Sequence, residues 1–227
     1  MCIRDRVCRS PCQMAALRSF LRKNYENLII VDFLCRATNS PKVFEKYKEN
    51  LEKKYGSKII AIKDKNKEHG WHSLARKITF ENGQTYYGEG HEDDYRRGYH
   101  MNVFERPSCY ECKFKGFPRI SDITLGDFWG IDKVDSSLEQ NLGTSLMMIN
   151  SKKGERFFEG IKDKLVVKQF RLEDIMPGNK TAILGGALSY PAHINRRNFF
   201  EDLDKMPFDE CANKYFPYQQ ENALSVK

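Results

Sequence analysis

The sequence contains no long hydrophobic run. Uninterrupted apolar stretches such as L-I-I-V at 28–31 and L-M-M-I at 146–149 are only four residues long, whereas a helix needs about 20 apolar residues to span a bilayer. The basic opening at 1–10 is followed by no apolar segment of the kind that a secretory signal requires. We therefore expect a cytoplasmic protein without a membrane span.

Several catalytic motifs are also missing. The sequence has no G-x-G-x-x-G, which removes support for a Rossmann dinucleotide site, and no G-x-S-x-G, which removes support for a Ser–His–Asp hydrolase. It has a single C-x-x-C pair, so a zinc ribbon built from two such pairs is excluded.

Positive charge exceeds negative charge without forming a basic stripe. The 38 Lys and Arg residues and 31 Asp and Glu residues give a net charge of +7, which suggests an anionic partner such as nucleic acid, a phosphate-bearing cofactor or an acidic protein. Charges alternate in sign along 46–58, as on a solvated helix face. Because no basic patch is interleaved with aromatic residues, nucleic acid is not predicted as a partner.

The composition is that of a folded protein with its own core. The chain has 227 residues, of which 40% are hydrophobic and 30% charged, and this excludes a disordered chain, a collagen and a coiled coil. No repeat or linker interrupts it, so we expect a single domain over 10–227. Residues 1–9 read as neither helix nor strand, and we interpret them as a doubtful or non-native stretch.

Helices and strands alternate in the first third of the chain. Apolar periodicity predicts a helix over 13–23, a strand buried on both faces over 27–35, a helix from Ser40-Pro41 to Gly56, and a strand over 59–62. This order favours an α/β fold with a mixed sheet flanked by helices, and α+β is the alternative.

The rest of the chain adds a hairpin, a cysteine-rich loop and further helices. Alternating residues around Asn82-Gly83 predict an inserted β-hairpin over 75–87. The cysteine-rich loop covers 106–119. The other predicted elements are strands at 145–150 and 166–170 and helices at 152–164, 195–203 and 209–216.

Cysteines carry the clearest chemical signal. Cys109 and Cys112, separated by two residues, can direct both sulfurs at one metal, although thioredoxin-type redox pairs share this spacing. Further ligands must come from elsewhere, and Cys12 at a helix N-terminus and Cys35 at a strand end are the best candidates. Four thiolates could hold a 4Fe–4S cluster or one zinc ion, or the four could share no site. Cys211 is predicted to lie in the core.

Four segments resemble the beta subunit family of coenzyme F-420 hydrogenases and dehydrogenases. They are S-P-C-Q-M-A-A-L-R-S-F-L at 10–21, V-D-F-L-C at 31–35, R-P-S-C-Y-E-C-K-F at 106–114, and R-I-S-D-I-T-L-G-D-F-W-G-I at 119–131. The resemblance implies an iron–sulfur flavoprotein that passes electrons between a 4Fe–4S cluster and FAD. It further implies that Cys12, Cys35, Cys109 and Cys112 are the cluster ligands.

The sequence also departs from the family pattern. A ferredoxin-like segment and a glycine-bearing region that commonly precede this part are absent, so the chain resembles the C-terminal half. The resemblance therefore implies an incomplete FAD site and a ferredoxin-like redox partner. C-R-A-T at 35–38 replaces the usual C-H-G, which is similar to a bacterial branch associated with polysaccharide biosynthesis and puts use of the deazaflavin coenzyme in doubt.

Candidate flavin contacts lie in two places. Lys65, followed by Gly70-Trp71, matches a family stretch and could meet a flavin phosphate, although a solvated lysine is equally compatible with the sequence. The second group could line a flavin pocket, or could consist of turn-capping acids and a core tryptophan; it comprises Asp122, Gly126, Asp127 and Trp129. The alternative function is a zinc-stabilised, non-catalytic interaction module.

Overall fold

The structure is a computed structural model that describes residues 5–90, 92–184 and 191–218. The strands in these ranges are β1 (Asp5–Arg9), β2 (Leu28–Phe33), β3 (Ile59–Asn66), β4 (Ala75–Phe80), β5 (Thr85–Glu89), β6 (Ile123–Asp127) and β7 (Ser145–Ile149). The α-helices are α1 (Pro11–Leu21), α2 (Pro41–Tyr55), α3 (Asp94–His100), α4 (Pro107–Tyr110), α5 (Ile131–Val134), α6 (Lys152–Glu159), α7 (Leu172–Leu184), α8 (Arg196–Asp202) and α9 (Phe208–Tyr215).

The chain forms two compact units, each made from two separated segments. Unit 1 comprises the described residues of Met1–Arg36 and Glu111–Tyr190, and unit 2 those of Ala37–Tyr110 and Pro191–Lys227. The chain passes from one unit to the other after Arg36, after Tyr110 and after Tyr190. No Gly- or Pro-rich linker marks the first two of these crossings in the sequence.

Unit 1 is built on a mixed four-stranded sheet in the order β1-β2-β6-β7. β2 pairs in parallel with β1 and β6, and β7 pairs antiparallel with β6. A small apolar core includes Phe128, Leu146 and Ile175. The predicted mixed sheet with flanking helices is therefore confirmed.

The prediction that residues 1–9 form neither helix nor strand is wrong for 5–9. These residues form β1, whose Val7 and Cys8 lie opposite Ile30 and Val31 of β2. The pattern was missed because β1 is an edge strand with mostly exposed side chains, and such a strand shows little apolar alternation.

Unit 2 combines an antiparallel sheet with helices. Its strand order is β3-β4-β5, and the predicted hairpin is confirmed as β4–β5, with Gly83 at φ 84° in the turn. The core is rich in aromatic side chains, including Phe80, Phe104 and Phe199. A buried carboxylate, Asp93, caps α3 by accepting from the amide of Arg96 at 2.7 Å.

Two predicted elements in the second half differ from the structure. The helix predicted over 152–164 ends at Glu159, because Gly160 caps it, and a 3-10 turn over Lys162–Lys164 follows. The prediction of a strand over 166–170 is wrong, because Val166 and Val167 are exposed in a segment that pairs with no strand among the described residues. Phe170 anchors that segment by packing edge-on against Phe128, with ring centroids 5.3 Å apart.

Among the helices that the structure describes, none has the length and apolar character needed to cross a membrane.

Candidate functional site

Cys12 lies in the first turn of α1, in unit 1. Pro11 starts this helix and Ser10 precedes it, in keeping with the preference of proline for the first helical position. The thiol is exposed, and its sulfur lies 3.3 Å from the hydroxyl oxygen of Ser10.

Cys35 lies two residues beyond the end of β2, also in unit 1. The backbones of the residues before and after Cys35 are each held by a hydrogen bond. The amide of Leu34 donates to the carbonyl of Leu125 at 2.8 Å, which extends the pairing with β6. The carbonyl of Arg36 accepts a hydrogen bond from the ammonium group of Lys115. Cys35 is therefore held from both sides at the carboxyl end of a central strand.

The C-x-x-C pair is divided between the units. Cys109 lies in α4, a single helical turn in unit 2, and its sulfur accepts a hydrogen bond from the amide of Thr38 at 3.4 Å. Cys112 follows in unit 1 and is half-buried. A helix of one turn that ends before Cys112 gives little support to a thioredoxin-type pair, which needs a helix starting at the first cysteine.

None of these four cysteines is in a disulfide bond. Across the three described ranges, no group of three or more His, Cys, Asp and Glu side chains could hold a single metal ion. A tetrahedral zinc site requires such a group. Thiolates are also the usual ligands of a 4Fe–4S cluster, but the described part of the chain does not show these four cysteines as one cluster-binding group.

The remaining described cysteines differ from these four. Cys211 is fully buried in the core of unit 2, as predicted, and its thiol approaches the carbonyl of Phe199 at 3.7 Å. Burial raises the pKa of this thiol to about 11, which makes it a poor ligand or nucleophile. Cys8 is exposed on β1.

Asp122 is a structural centre of unit 1. Its buried carboxylate accepts from the amide of Ile30 at 2.9 Å and from the hydroxyl of Ser151 at 2.8 Å. The cations of Arg18 and Lys153 lie 3.7 Å and 3.4 Å from it. These contacts tie α1, β2 and the start of α6 together.

Gly126, Asp127 and Trp129 lie at and just beyond the end of β6. A Cβ atom at Gly126 would overlap the side chain of Leu34, so only glycine fits there without a shift. Asp127 is half-buried and pairs in register with Ser145. The Trp129 side chain is 41% exposed. It is therefore not the core tryptophan of the alternative interpretation, and its ring surface is accessible to a ligand.

Lys65 lies on β3 of unit 2 and is exposed. Its ammonium group is 5.7 Å from the ring centroid of Trp71, and that of Lys67 is 4.9 Å from the same ring. Trp71 itself is buried. Two lysine cations therefore lie beside one buried aromatic ring.

Sequence patterns do not predict two residues that anchor segments of unit 1. Arg119 forms a buried salt bridge with Asp32 at 2.9 Å, and Lys115 binds the carbonyl of Arg36. Asp32 offered a signal: a charged residue within a strand predicted to be buried on both faces needs a buried partner. Nothing in the sequence around 115–119 indicated which cation would supply it.

The fold and the thiols define a mixed α/β protein in which Cys12, Cys35 and Cys112 lie at or just beyond the ends of secondary-structure elements, and Cys109 lies in the single turn of α4. The family profile for the C terminus of the coenzyme F420 hydrogenase/dehydrogenase beta subunit matches residues 6–174. The chain belongs to this family, which confirms the family resemblance seen in the sequence.

Solved structures give a more distant likeness. A chain of the xenon-derivatised F420-reducing [NiFe] hydrogenase complex from Methanosarcina barkeri is similar to this chain at 17% identity, with a TM-score of 0.44. The alignment covers 86% of this chain and 60% of that one. No curated protein matches the sequence.

Proposed function

We propose that the chain is the C-terminal domain of an iron–sulfur flavoprotein subunit that transfers electrons between a 4Fe–4S cluster and FAD. Cys12, Cys35, Cys109 and Cys112 would hold the cluster. The observation that carries this proposal is the family match over residues 6–174, since that family consists of beta subunits of hydrogenases and dehydrogenases. A cytoplasmic location and a separate redox partner protein belong to the same proposal.

Two features of this chain suit the binding of a cluster that transfers electrons. The amide of Thr38 donates to the sulfur of Cys109, and a hydrogen bond to a ligating sulfur would raise the reduction potential of a bound cluster. The helix N-terminus beside Cys12 acts in the same direction. When bound, the cluster supplies one-electron transfer and the flavin supplies hydride chemistry.

We assign the flavin to two sets of residues. The accessible ring of Trp129 would contact the flavin, next to Gly126 and Asp127 at the end of β6. Asp122 would support this pocket from within unit 1. Lys65 would bind a phosphate of FAD. The resemblance to the polysaccharide-associated bacterial branch stays a prediction, as does the choice of electron donor and acceptor.

Metal analysis distinguishes this proposal from the zinc-stabilised module. The whole chain, purified without oxygen and reconstituted with ferrous iron and sulfide, should contain about four iron and four sulfide per chain. Stoichiometric zinc that resists replacement by iron would instead support the zinc module. A protein that retains neither metal would contradict both.

A further inference from the structure

We propose that Lys115 is a positioning residue, which holds the loop of Cys112 against the chain segment that carries Cys35. This inference deepens the proposed function and rests on it for the role of the two cysteines. The geometry on which it stands lies entirely within unit 1.

Lys115 joins the two segments directly. Its ammonium group donates to the backbone carbonyl of Arg36, the residue that follows Cys35. Lys115 lies three residues after Cys112, so one side chain connects the surroundings of both thiols. The contact is partly buried, and a charged donor to a carbonyl is a strong hydrogen bond in such surroundings.

Two further contacts hold the loop over 111–119, and neither of them reaches the segment beside Cys35 as Lys115 does. Arg119 binds Asp32, the second-last residue of β2, and the amide of Gly116 donates to the carbonyl of Ile183 at 2.6 Å. These two contacts fix the part of the loop that follows Lys115 to the sheet and to α7. Lys115 fixes the part that carries Cys112, because it binds beyond the end of β2, next to Cys35.

The hydrogen bond of Lys115 can position Cys35 and Cys112 because both cysteines lie outside regular strands. Loop segments move more than the elements that they connect, and a metal site loses affinity when its supporting contacts leave the ligands loosely placed. Removing the Lys115 contact should widen the range of distances between Cys35 and Cys112 while leaving β2 and β6 intact.

The test is a distance measurement on metal-free protein. Spin labels are attached to Cys35 and Cys112 in the full chain with the other five cysteines replaced by serine, and pulsed EPR gives the label-to-label distance distribution. The variants are Lys115→Met, Lys115→Arg and Lys113→Met. Lys113 is a matched control, because it is an exposed lysine of the same loop.

We expect Lys115→Met to broaden the distribution about twofold or more at a temperature at which the variant is still folded, as loss of one loop anchor implies. Lys113→Met should leave it unchanged, and Lys115→Arg should restore it because a guanidinium can also donate to a carbonyl. A Lys115→Met distribution as narrow as that of the parent protein would overturn the proposal. Equal broadening by Lys113→Met would overturn it as well.

Iron binding separates this proposal from the proposed function. In protein with all seven natural cysteines, Lys115→Met should weaken iron retention against a chelator about tenfold, the usual effect of losing a supporting contact, and Lys113→Met should not. If the unsubstituted protein binds no iron, the proposed function fails, while the EPR distances still decide whether Lys115 positions the loop.

Discussion

The carboxylate of Asp32 and the guanidinium of Arg119 form a salt bridge of 2.9 Å whose side chains are both completely buried. Thr124, opposite Asp32 on the neighbouring strand, donates to the second carboxylate oxygen at 2.5 Å and accepts from Arg119 Nε at 3.2 Å. This network joins β2, β6 and the loop of Cys112. It connects the sheet of unit 1 to the segment that we assign to the cluster.

The first prediction concerns this pair. Replacing Arg119 by Met should lower the free energy of unfolding by about 3–5 kcal/mol, because it leaves the charge of Asp32 buried without its partner. Urea denaturation measures the loss. The double variant Asp32→Leu/Arg119→Met should lose less than the sum of the two single changes, since it removes both charges. Strict additivity would show that the two groups do not interact.

A close helix contact gives the second prediction. Gly178 of α7 lies so close to the chain at Trp129 that a Cβ atom would overlap the Trp129 carbonyl oxygen. Gly178→Ala should therefore lower the free energy of unfolding by about 1–3 kcal/mol, although alanine is the better helix former. Gly160→Ala is the control, since Gly160 has a φ of −72° and its Cβ would have only ordinary or slightly close contacts, 3.4 Å at the nearest. If Gly178→Ala and Gly160→Ala had the same free energy of unfolding, the close approach of Gly178 to Trp129 would be contradicted.

The third prediction is a pH dependence. Hydrogen bonds from Lys77 and Tyr87 lower the pKa of Glu68 from its ordinary value of 4.5 to about 2. A carboxyl whose pKa is lowered by folding stabilises the protein above its ordinary pKa and loses that effect as pH falls through its folded pKa. The melting temperature of Glu68→Gln should therefore fall less steeply than that of the parent between pH 4.5 and about pH 2. Melting temperatures that fall equally with pH in the two proteins would contradict the lowered pKa of Glu68.

The fourth prediction tests the flavin assignment in unit 2. Lys65→Met should raise the dissociation constant of FAD about tenfold, which is the loss of roughly 1.4 kcal/mol expected for one charged contact to phosphate. Quenching of flavin fluorescence measures it. Lys63→Met, an exposed lysine on the same strand, is the matched control and should have no effect. Equal weakening by both variants would indicate a general charge effect rather than a contact at Lys65.

Local patterns predicted most of the elements because their causes are local. Ser40-Pro41 starts α2 and Gly56 ends it with a φ of 60°. Asn82-Gly83 likewise sets the hairpin. The edge strand β1 and the unpaired segment over 166–170 were misjudged, because whether an extended segment pairs depends on distant partners rather than on its own residues.

The cysteines of the candidate site could be selected from the sequence, but their supports could not. Cys109 and Cys112 form a recognisable pair, and the family segments added Cys12 and Cys35. The amide of Thr38 on Cys109, and the contacts of Lys115 and Arg119, depend on how segments separated by about 70 residues or more come together. No local rule specifies such contacts.

The most direct test of the central claim is the iron and sulfide content of six single Cys→Ser variants after anaerobic reconstitution. We predict that replacing Cys12, Cys35, Cys109 or Cys112 lowers both contents well below the roughly four per chain of the parent. The controls are Cys8→Ser on the surface and Cys211→Ser in the core, and both should keep the parent's content. Full iron and sulfide in any of the first four variants would contradict the proposed ligand set, as would their loss in either control.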